Sequence, residues 1–157
     1  MLKFFTEEFE CNAQYRKIFS RCEDIIDETD MVREISDFSR FIIQCINVND
    51  LISKRKENFK YLKKELQSIE ILPVCNFQEG DCPFVFPIRI ANRDKFRKYL
   101  MENRIYCAVH WPFDGFMEKE RKNAVFNSDT LISLPIDQRY DIKEMDYMLN
   151  VIKAYEG

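Results

Sequence analysis

The segment at residues 105–112 holds the side chains of this sequence that are best suited to chemistry. It contains the only histidine, His110, and the only tryptophan, Trp111, directly after a short apolar run that is typical of a strand. An imidazole can exchange a proton near neutral pH, and an indole offers a large apolar face with one polar N–H group. A strand that ends in these two groups and the rigid Pro112 is suited to presenting a surface, so we take this segment as the candidate site.

Cysteine chemistry is not expected in this segment. Cys107 lies three residues before His110, and on a strand and its exit this spacing directs the two side chains to opposite faces. The six cysteines include no C-x-x-C pair and have a single histidine to join them, so we expect no metal site. We expect reduced thiols in a cytoplasmic protein, with a Cys75–Cys82 bridge formed by oxidation as the alternative.

Composition excludes several other classes of function. A chain of 157 residues with 46% apolar residues forms one globular domain, or one domain with an appendage. Its 24 basic and 27 acidic residues are interspersed, which excludes a strongly basic nucleic-acid interface. No apolar stretch is long enough for a membrane span or a signal peptide. Three glycines cannot supply a glycine-rich loop for phosphate, so we expect no cofactor-binding residues in this chain.

The elements that position the segment are predicted from hydrophobic periodicity. Three helices come first, and the basic run Lys54-Arg55-Lys56 is interpreted as the solvated face of the third. Ser36, Asn92 and Asp141 are predicted to cap helices. The predicted helices cover residues 6–27, 36–46, 50–66, 93–103 and 117–126 and a last one from 141, and the predicted strands cover 69–72, 84–90, 105–109 and 131–134.

This order predicts an α+β fold. A small, mainly antiparallel sheet of three or four strands, with helices packed on one face and N-terminal helices before it, is the economical arrangement. Pro87 within the second strand favours an edge position or a bulge, because proline has no N–H to donate to a neighbouring strand.

Four motifs in this order resemble the C-terminal part of DegT/DnrJ/StrS-type aminotransferases. The resemblance covers roughly residues 36–155, which makes 36–157 an aminotransferase C-terminal-like small domain and 1–35 an N-terminal helical segment. The motifs are Arg55-x-Glu57-Asn58-Phe59-x-Tyr61-Leu62, Arg93-Asp94-x-x-Arg97-x-Tyr99-Leu100, Ile105-Tyr106-Cys107-x-Val109-His110-Trp111-Pro112 and Leu134-Pro135-Ile136-Asp137-x-Arg139-Tyr140.

The resemblance implies both an activity and a reason for its absence. Members of this family are fold-type I enzymes that depend on pyridoxal phosphate (PLP), and many act on nucleotide-linked keto-sugars. Their large domain supplies the Schiff-base lysine, the acid at the pyridinium nitrogen and the phosphate loop. Nothing in this sequence matches that domain, so we expect no catalytic residue and no transamination by this chain alone.

By resemblance, four residues are expected to contact substrate in a complete enzyme: Tyr106, His110, Trp111 and Arg139. Two of these expectations have alternatives. His110 can instead hydrogen-bond a loop, and Arg139 can instead pair with Asp137 or Asp141.

Two further hypotheses concern partners. The chain can be a non-catalytic binding or assembly module, in which apolar surface left without its large domain is covered by self-association or by another protein. It can also be one subunit of a split aminotransferase whose other chain carries the PLP-binding domain.

Overall fold

The computed structural model of the chain describes residues 9–28, 34–67, 78, 80–110 and 122–155. Its contacts divide the chain into two compact units, Met1–Ile46 (unit 1) and Asn47–Gly157 (unit 2). Within the described residues, no helix is both long and apolar enough to cross a membrane.

The α+β class predicted from the sequence is confirmed. Six helices and one antiparallel pair of strands are present among the described residues. In chain order the elements are α1 (Phe9–Asp27), α2 (Asp37–Cys45), α3 (Val48–Glu65), β1 (Val85–Arg89), α4 (Arg93–Glu102), α5 (Lys122–Thr130), β2 (Leu131–Pro135) and α6 (Ile142–Lys153).

β1 and β2 pair so that Pro87 lies opposite Ser133. The Ser133 N–H donates to the Ala108 carbonyl at 3.0 Å, away from β1. Pro87 and Ser133 therefore form a pair without mutual backbone hydrogen bonds, because the N–H of a strand residue points to one side only. No hydrogen bond between β1 and β2 would use an N–H at position 87, so β1 accommodates a proline there without losing a bond of this ladder.

The expected number of strands was too high. The predicted strand at 105–109 forms one isolated bridge, between Ala108 and Ser133, rather than a ladder. The physical reason is Pro135: in the antiparallel register that pairs Ala108 with Ser133 it lies opposite Tyr106, and proline has no N–H with which to extend the ladder. The Cys107 carbonyl, on the other side of the segment, accepts a hydrogen bond from Arg97 Nε at 3.2 Å. The predicted strand at 69–72 lies outside the described residues.

The turn that leads into 105–109 contains a residue in the left-handed conformation that is not a glycine. Arg104 has φ 61°. Its N–H donates to the Met101 carbonyl, and the Ile105 N–H donates to the Leu100 carbonyl. These two bonds are those of a Schellman motif, which satisfies the last carbonyls of α4 and turns the chain back toward the sheet.

Helix caps agree with the sequence at two positions and differ at a third. Ser36 caps α2, and Asp141 forms a capping box with Glu144 at the start of α6. Asn92 does precede α4, but it adopts φ 54° and its side chain makes no capping bond. In this left-handed conformation Asn92 serves as a turn residue, a role in which asparagine is well tolerated.

Among the described residues, the hydrophobic core lies in unit 2. It joins α3 to α6 and β1, and α4 to β2. Its fully buried apolar side chains are Phe86, Phe96, Leu62, Leu66, Ile88, Leu100, Ile132, Leu134, Ile136 and Met145. In unit 1, by contrast, α2 has no buried residue.

Candidate functional site

A groove of about 280 Å³ opens on unit 2 beside the sheet. It brings together the end of β2, the segment before β1, the first half of α3 and the extended segment 105–109. Its lining residues are Arg55, Phe84, Val85, Tyr106, Ala108, Ser133, Pro135, Ile136, Asp137, Gln138 and Arg139.

Alternation along two segments decides which side chains reach the groove. Ile105 and Cys107 are buried in the core, whereas Tyr106 between them lines the groove. In the same way Ile132 and Leu134 are core residues of β2, and Ser133 between them lines the groove. Successive side chains of an extended chain point to opposite faces, so one set of residues builds the core and the interleaved set builds the site.

His110 borders the groove through two of its lining residues. His110 Nδ1 lies 2.9 Å from Ser133 Oγ, and its ring centroid lies 5.9 Å from that of Phe84. The serine hydroxyl can donate to or accept from the ring nitrogen, so the tautomer of His110 follows the direction of this bond. His110 thus bonds a strand side chain, and the half-buried ring is fixed in place beside the groove.

Arg139 lines the groove as part of a tight ion pair. Its Nε and Nη2 donate to the two carboxylate oxygens of Asp137 at 2.7 and 2.8 Å. The alternative in which Arg139 pairs with Asp137 is therefore what the structure contains. Burial by itself raises the pKa of Asp137, but the hydrogen bonds and charge of Arg139, with the charge of Arg55, outweigh it and hold the pKa below 3.8.

Arg55 is a groove residue that the sequence analysis missed. It was interpreted as part of a solvated face, but Nε donates to Gln138 Oε1 at 3.0 Å and Nη1 to the Pro83 carbonyl at 3.3 Å. Its guanidinium also lies 5.7 Å from the centroid of the Phe84 ring. The only available signal was its place in the first motif of the resemblance, since Gln138 is 83 residues away in sequence.

Asn58 connects α3 to the segment that follows β2, which contributes to the lining of the groove. It is fully buried in α3, and its Nδ2 donates toward the carbonyls of Ile136, Asp137 and Tyr140 at 3.0 to 3.4 Å. The segment that follows β2 carries Asp137 and Arg139 and forms one wall of the groove. The amide of Asn58 therefore fixes the position of this wall relative to α3. Asn58 belongs to the first of the four motifs, but no pattern in the sequence indicates its role.

The fourth predicted site residue, Trp111, lies outside the described residues. Tyr106 and Arg139 are brought together in the groove, with His110 at its border, and Trp111 stays a prediction. A larger cavity of about 440 Å³ contains none of these residues; it is lined by Lys95, Lys98, Tyr99, Glu102, Ala154 and Tyr155.

Other reactive groups near the groove are arranged for structure. Burial raises the pKa of Cys107 to about 12, with the charge of Arg97 opposing it, so the thiol stays protonated inside the core. Within the described part of the chain, no three His, Cys, Asp or Glu side chains are placed to hold a metal ion.

Comparison with known proteins gives a match at the level of structure. No family model and no curated protein sequence matches the chain. The sugar aminotransferase CalS13 from Micromonospora echinospora matches with a TM-score of 0.57 and 16% identity, over 70% of this chain and 32% of that chain. DesV of S. venezuelae, solved in complex with a ketimine intermediate, matches with a TM-score of 0.60 and 18% identity, over 71% and 33%. A DegT DnrJ EryC1 StrS aminotransferase from Brucella abortus matches with a TM-score of 0.55 and 15% identity, over 70% and 32%.

This chain has the fold of part of a sugar aminotransferase. The resemblance derived from the four sequence motifs is thereby confirmed for the fold. The chain spans about a third of the length of the sugar aminotransferases it matches.

The described lining of the groove does not fit PLP, the cofactor that the sugar-aminotransferase resemblance implies. A Schiff base needs a lysine in the pocket, and no lysine is among the groove's described lining residues. The one acid there, Asp137, is already held by Arg139. The groove is suited to hydrogen-bonding a polar ligand rather than to forming a covalent bond with a cofactor.

Proposed function

We propose that unit 2 is the small domain of a sugar aminotransferase and that its groove is one wall of the substrate-binding cleft. The observation that carries this proposal is the groove itself. It gathers Tyr106 and Arg139, with His110 at its border, on a fold shared with solved sugar aminotransferases. The ligand class that follows from the resemblance is a nucleotide-linked sugar.

The roles of the groove residues follow from their hydrogen-bonding groups. Tyr106 and His110 offer side chains that donate to or accept from sugar hydroxyls, and Ser133 holds the His110 ring for that purpose. Arg139 adds a planar cation whose orientation is fixed by its two bonds to Asp137. Trp111, by resemblance, adds an apolar face to the same wall.

We further propose that this chain does not transaminate without a PLP-binding domain. What supports this is the groove's described lining, which offers hydrogen-bonding groups and a held ion pair in place of a reactive lysine. We place the function in the cytoplasm, in line with four free thiols among the described residues.

The experiment that tests this proposal is incubation of the purified chain with PLP, followed by visible spectroscopy, borohydride reduction and mass spectrometry. We expect scattered, substoichiometric modification of surface lysines, equal to that given by pyridoxal without the phosphate, and no turnover of an amino donor. One stoichiometric pyridoxyl-lysine that requires the phosphate, together with amino-donor turnover, would contradict the proposal.

A second candidate function is that of one subunit of a split aminotransferase. Phe84 favours it, because this groove residue is 67% exposed and a large apolar ring at a site margin is suited to cover by another polypeptide. Mixing the chain with a separately produced PLP-binding domain and measuring transamination separates the two candidates. Activity that appears only in the mixture would favour the split enzyme.

A further inference from the structure

Phe84 places an exposed aromatic ring in the groove. It lies directly before β1 and is 67% exposed, although it is one of the groove's lining residues. Covering apolar surface that faces water releases free energy, and a phenyl ring offers a flat area to a flat ligand. The ring is therefore suited to stacking with a second ring.

Two side chains hold the Phe84 ring and the backbone next to it. The Arg55 guanidinium lies 5.7 Å from the ring centroid, and Arg55 Nη1 donates to the Pro83 carbonyl at 3.3 Å. The centroid of the His110 ring lies 5.9 Å from that of Phe84. Because the ring is held before a ligand arrives, less conformational entropy is lost when one binds.

The groove also carries an excess of positive charge beside this ring. Its charged lining residues are Arg55, Asp137 and Arg139, two guanidinium groups against one carboxylate. Asp137 uses both carboxylate oxygens for Arg139. Arg55 donates from Nε and Nη1 to neutral oxygens of Gln138 and Pro83, and its Nη2 makes no hydrogen bond within the described part of the chain. The charge of Arg55 is therefore available to an anionic ligand.

We propose that Phe84 and Arg55 receive the nucleotide end of the ligand. A nucleobase stacks on the Phe84 ring, and a phosphate oxygen accepts a hydrogen bond from Arg55. A nucleoside phosphate is the class of small molecule that joins a flat ring to an anion. This inference rests on the function proposed above, because it says where in the same cleft the nucleotide of the proposed ligand binds.

The cation favours a nucleotide over a polypeptide as the occupant of this ring. An apolar segment of another chain would cover Phe84 but would bury the Arg55 guanidinium without a counter-charge, which is costly. A nucleoside phosphate covers the ring and supplies the counter-charge in one molecule.

Titration of the full chain with three probes tests the two contacts separately. The probes are uridine diphosphate (UDP), uridine and inorganic pyrophosphate, and the NMR shifts of the backbone amides report binding. We expect UDP to bind roughly tenfold or more tightly than either uridine or pyrophosphate, because UDP alone uses both contacts. Failure of UDP to bind at millimolar concentration, or pyrophosphate that binds as tightly as UDP, overturns the inference.

Two variants assign the contacts to their side chains. Phe84→Leu keeps an apolar side chain but removes the flat ring, so it should weaken UDP binding roughly tenfold and leave pyrophosphate binding unchanged. Arg55→Gln removes the charge and should weaken the binding of UDP and of pyrophosphate alike. A Phe84→Leu chain that binds UDP like the wild type contradicts the stacking.

Phe126→Leu is the matched control for the ring. Phe126 is also exposed, and the Arg89 guanidinium lies 5.6 Å from its ring centroid, but Phe126 is not among the described lining residues of the groove. We expect this variant to bind UDP like the wild type. An equal loss in Phe126→Leu and Phe84→Leu would show that the groove is not where the base stacks.

UDP-glucose distinguishes this inference from the function on which it rests. Tyr106→Phe should weaken binding of UDP-glucose but not of UDP, because it removes a hydroxyl offered to the sugar and leaves the nucleotide contacts intact. UDP-glucose binding that depends on Tyr106 but not on Phe84 would overturn the inference and leave the proposed function standing. UDP binding that depends on Phe84, with no gain from the glucose, would support the inference and count against the proposed sugar contacts.

Discussion

At the scale of single residues, the groove is organised by pairs in which one side chain holds another. Asp137 holds Arg139 by two hydrogen bonds, and Ser133 Oγ holds the imidazole of His110. Restricting a long side chain before a ligand arrives removes part of the entropy that binding would otherwise cost. The groove therefore presents its polar groups in a fixed arrangement.

The Asp137–Arg139 pair makes stability depend on pH. The pKa of Asp137 is lower in the folded chain than its ordinary 3.8, so the pair stabilises the fold above that value and ceases to do so as pH falls through the folded pKa. Asp137→Asn removes this dependence. We expect the urea midpoint of the variant to fall less than that of the wild type between about pH 5 and about pH 3.

The control for this measurement is Asp94→Asn on α4. The Asp94 carboxylate also contacts an arginine, Arg93, but its side chain is 82% exposed. Solvent screens such pairs strongly, so this variant should follow the wild-type pH profile. Parallel profiles for the wild type and Asp137→Asn would show that the groove pair contributes no acid sensitivity.

Sequence patterns predicted the groove residues that lie on one strand-like segment and missed those that come from afar. Tyr106 was expected at the site by resemblance alone, and His110 also as the only imidazole at the end of a short apolar run; both lie in one local motif. Arg55 and Gln138 meet across 83 residues, and no local pattern predicts such a meeting. In a lysine-rich helix, periodicity cannot distinguish an arginine that lines a groove from an arginine that faces solvent.

At the scale of elements, a single amide joins α3 to the wall of the groove. The Asn58 side chain replaces water for three carbonyls that follow β2, in a place where water is excluded. The wall and the helix are consequently positioned as one structure, although they are far apart in sequence.

Asn58→Asp is expected to break this connection with almost no change in shape. The substitution turns a donor into a carboxylate that faces carbonyl oxygens, and a buried donor lost in this way costs about 3 kcal/mol of unfolding free energy. Urea denaturation at neutral pH measures it. Asn150→Asp in α6 makes the same change at an exposed position and should cost less than about 0.5 kcal/mol, so equal losses at both sites would refute the role given to Asn58.

Most helices and strands could be predicted from the sequence, but their bounds and their pairing could not. Helix caps that depend only on neighbouring residues, such as the capping box of Asp141 and Glu144, were predicted from the sequence and are present in the structure. The strand expected at 105–109 was wrong because Pro135, which lies opposite Tyr106 in the register of the Ala108–Ser133 bridge, has no N–H with which to extend the pairing. Such a dependence on the partner strand is invisible to a pattern confined to one segment.

At the scale of the whole molecule, the core and the groove belong to the same unit. Every described core residue, from Phe59 to Ile152, lies in unit 2. Helices that bury nothing in this core contribute little to its free energy of folding.

A fragment of residues 47–157 is therefore expected to fold by itself. Its urea unfolding should be cooperative, with a free energy within about 1 kcal/mol of that of the full chain at the same low concentration. Circular dichroism and tyrosine fluorescence measure this. A fragment that unfolds without cooperativity would show that residues 1–46 contribute to the core.

The burial of Cys107 gives the protein an internal reporter. A thiol with a pKa of about 12 is almost entirely protonated at neutral pH and shielded by the core, so an alkylating reagent reaches it only when the core opens. Cys45 and Cys82 are exposed and react without any opening. The alkylation rate of Cys107, compared with the rates of these two thiols, therefore measures how often the core of unit 2 opens.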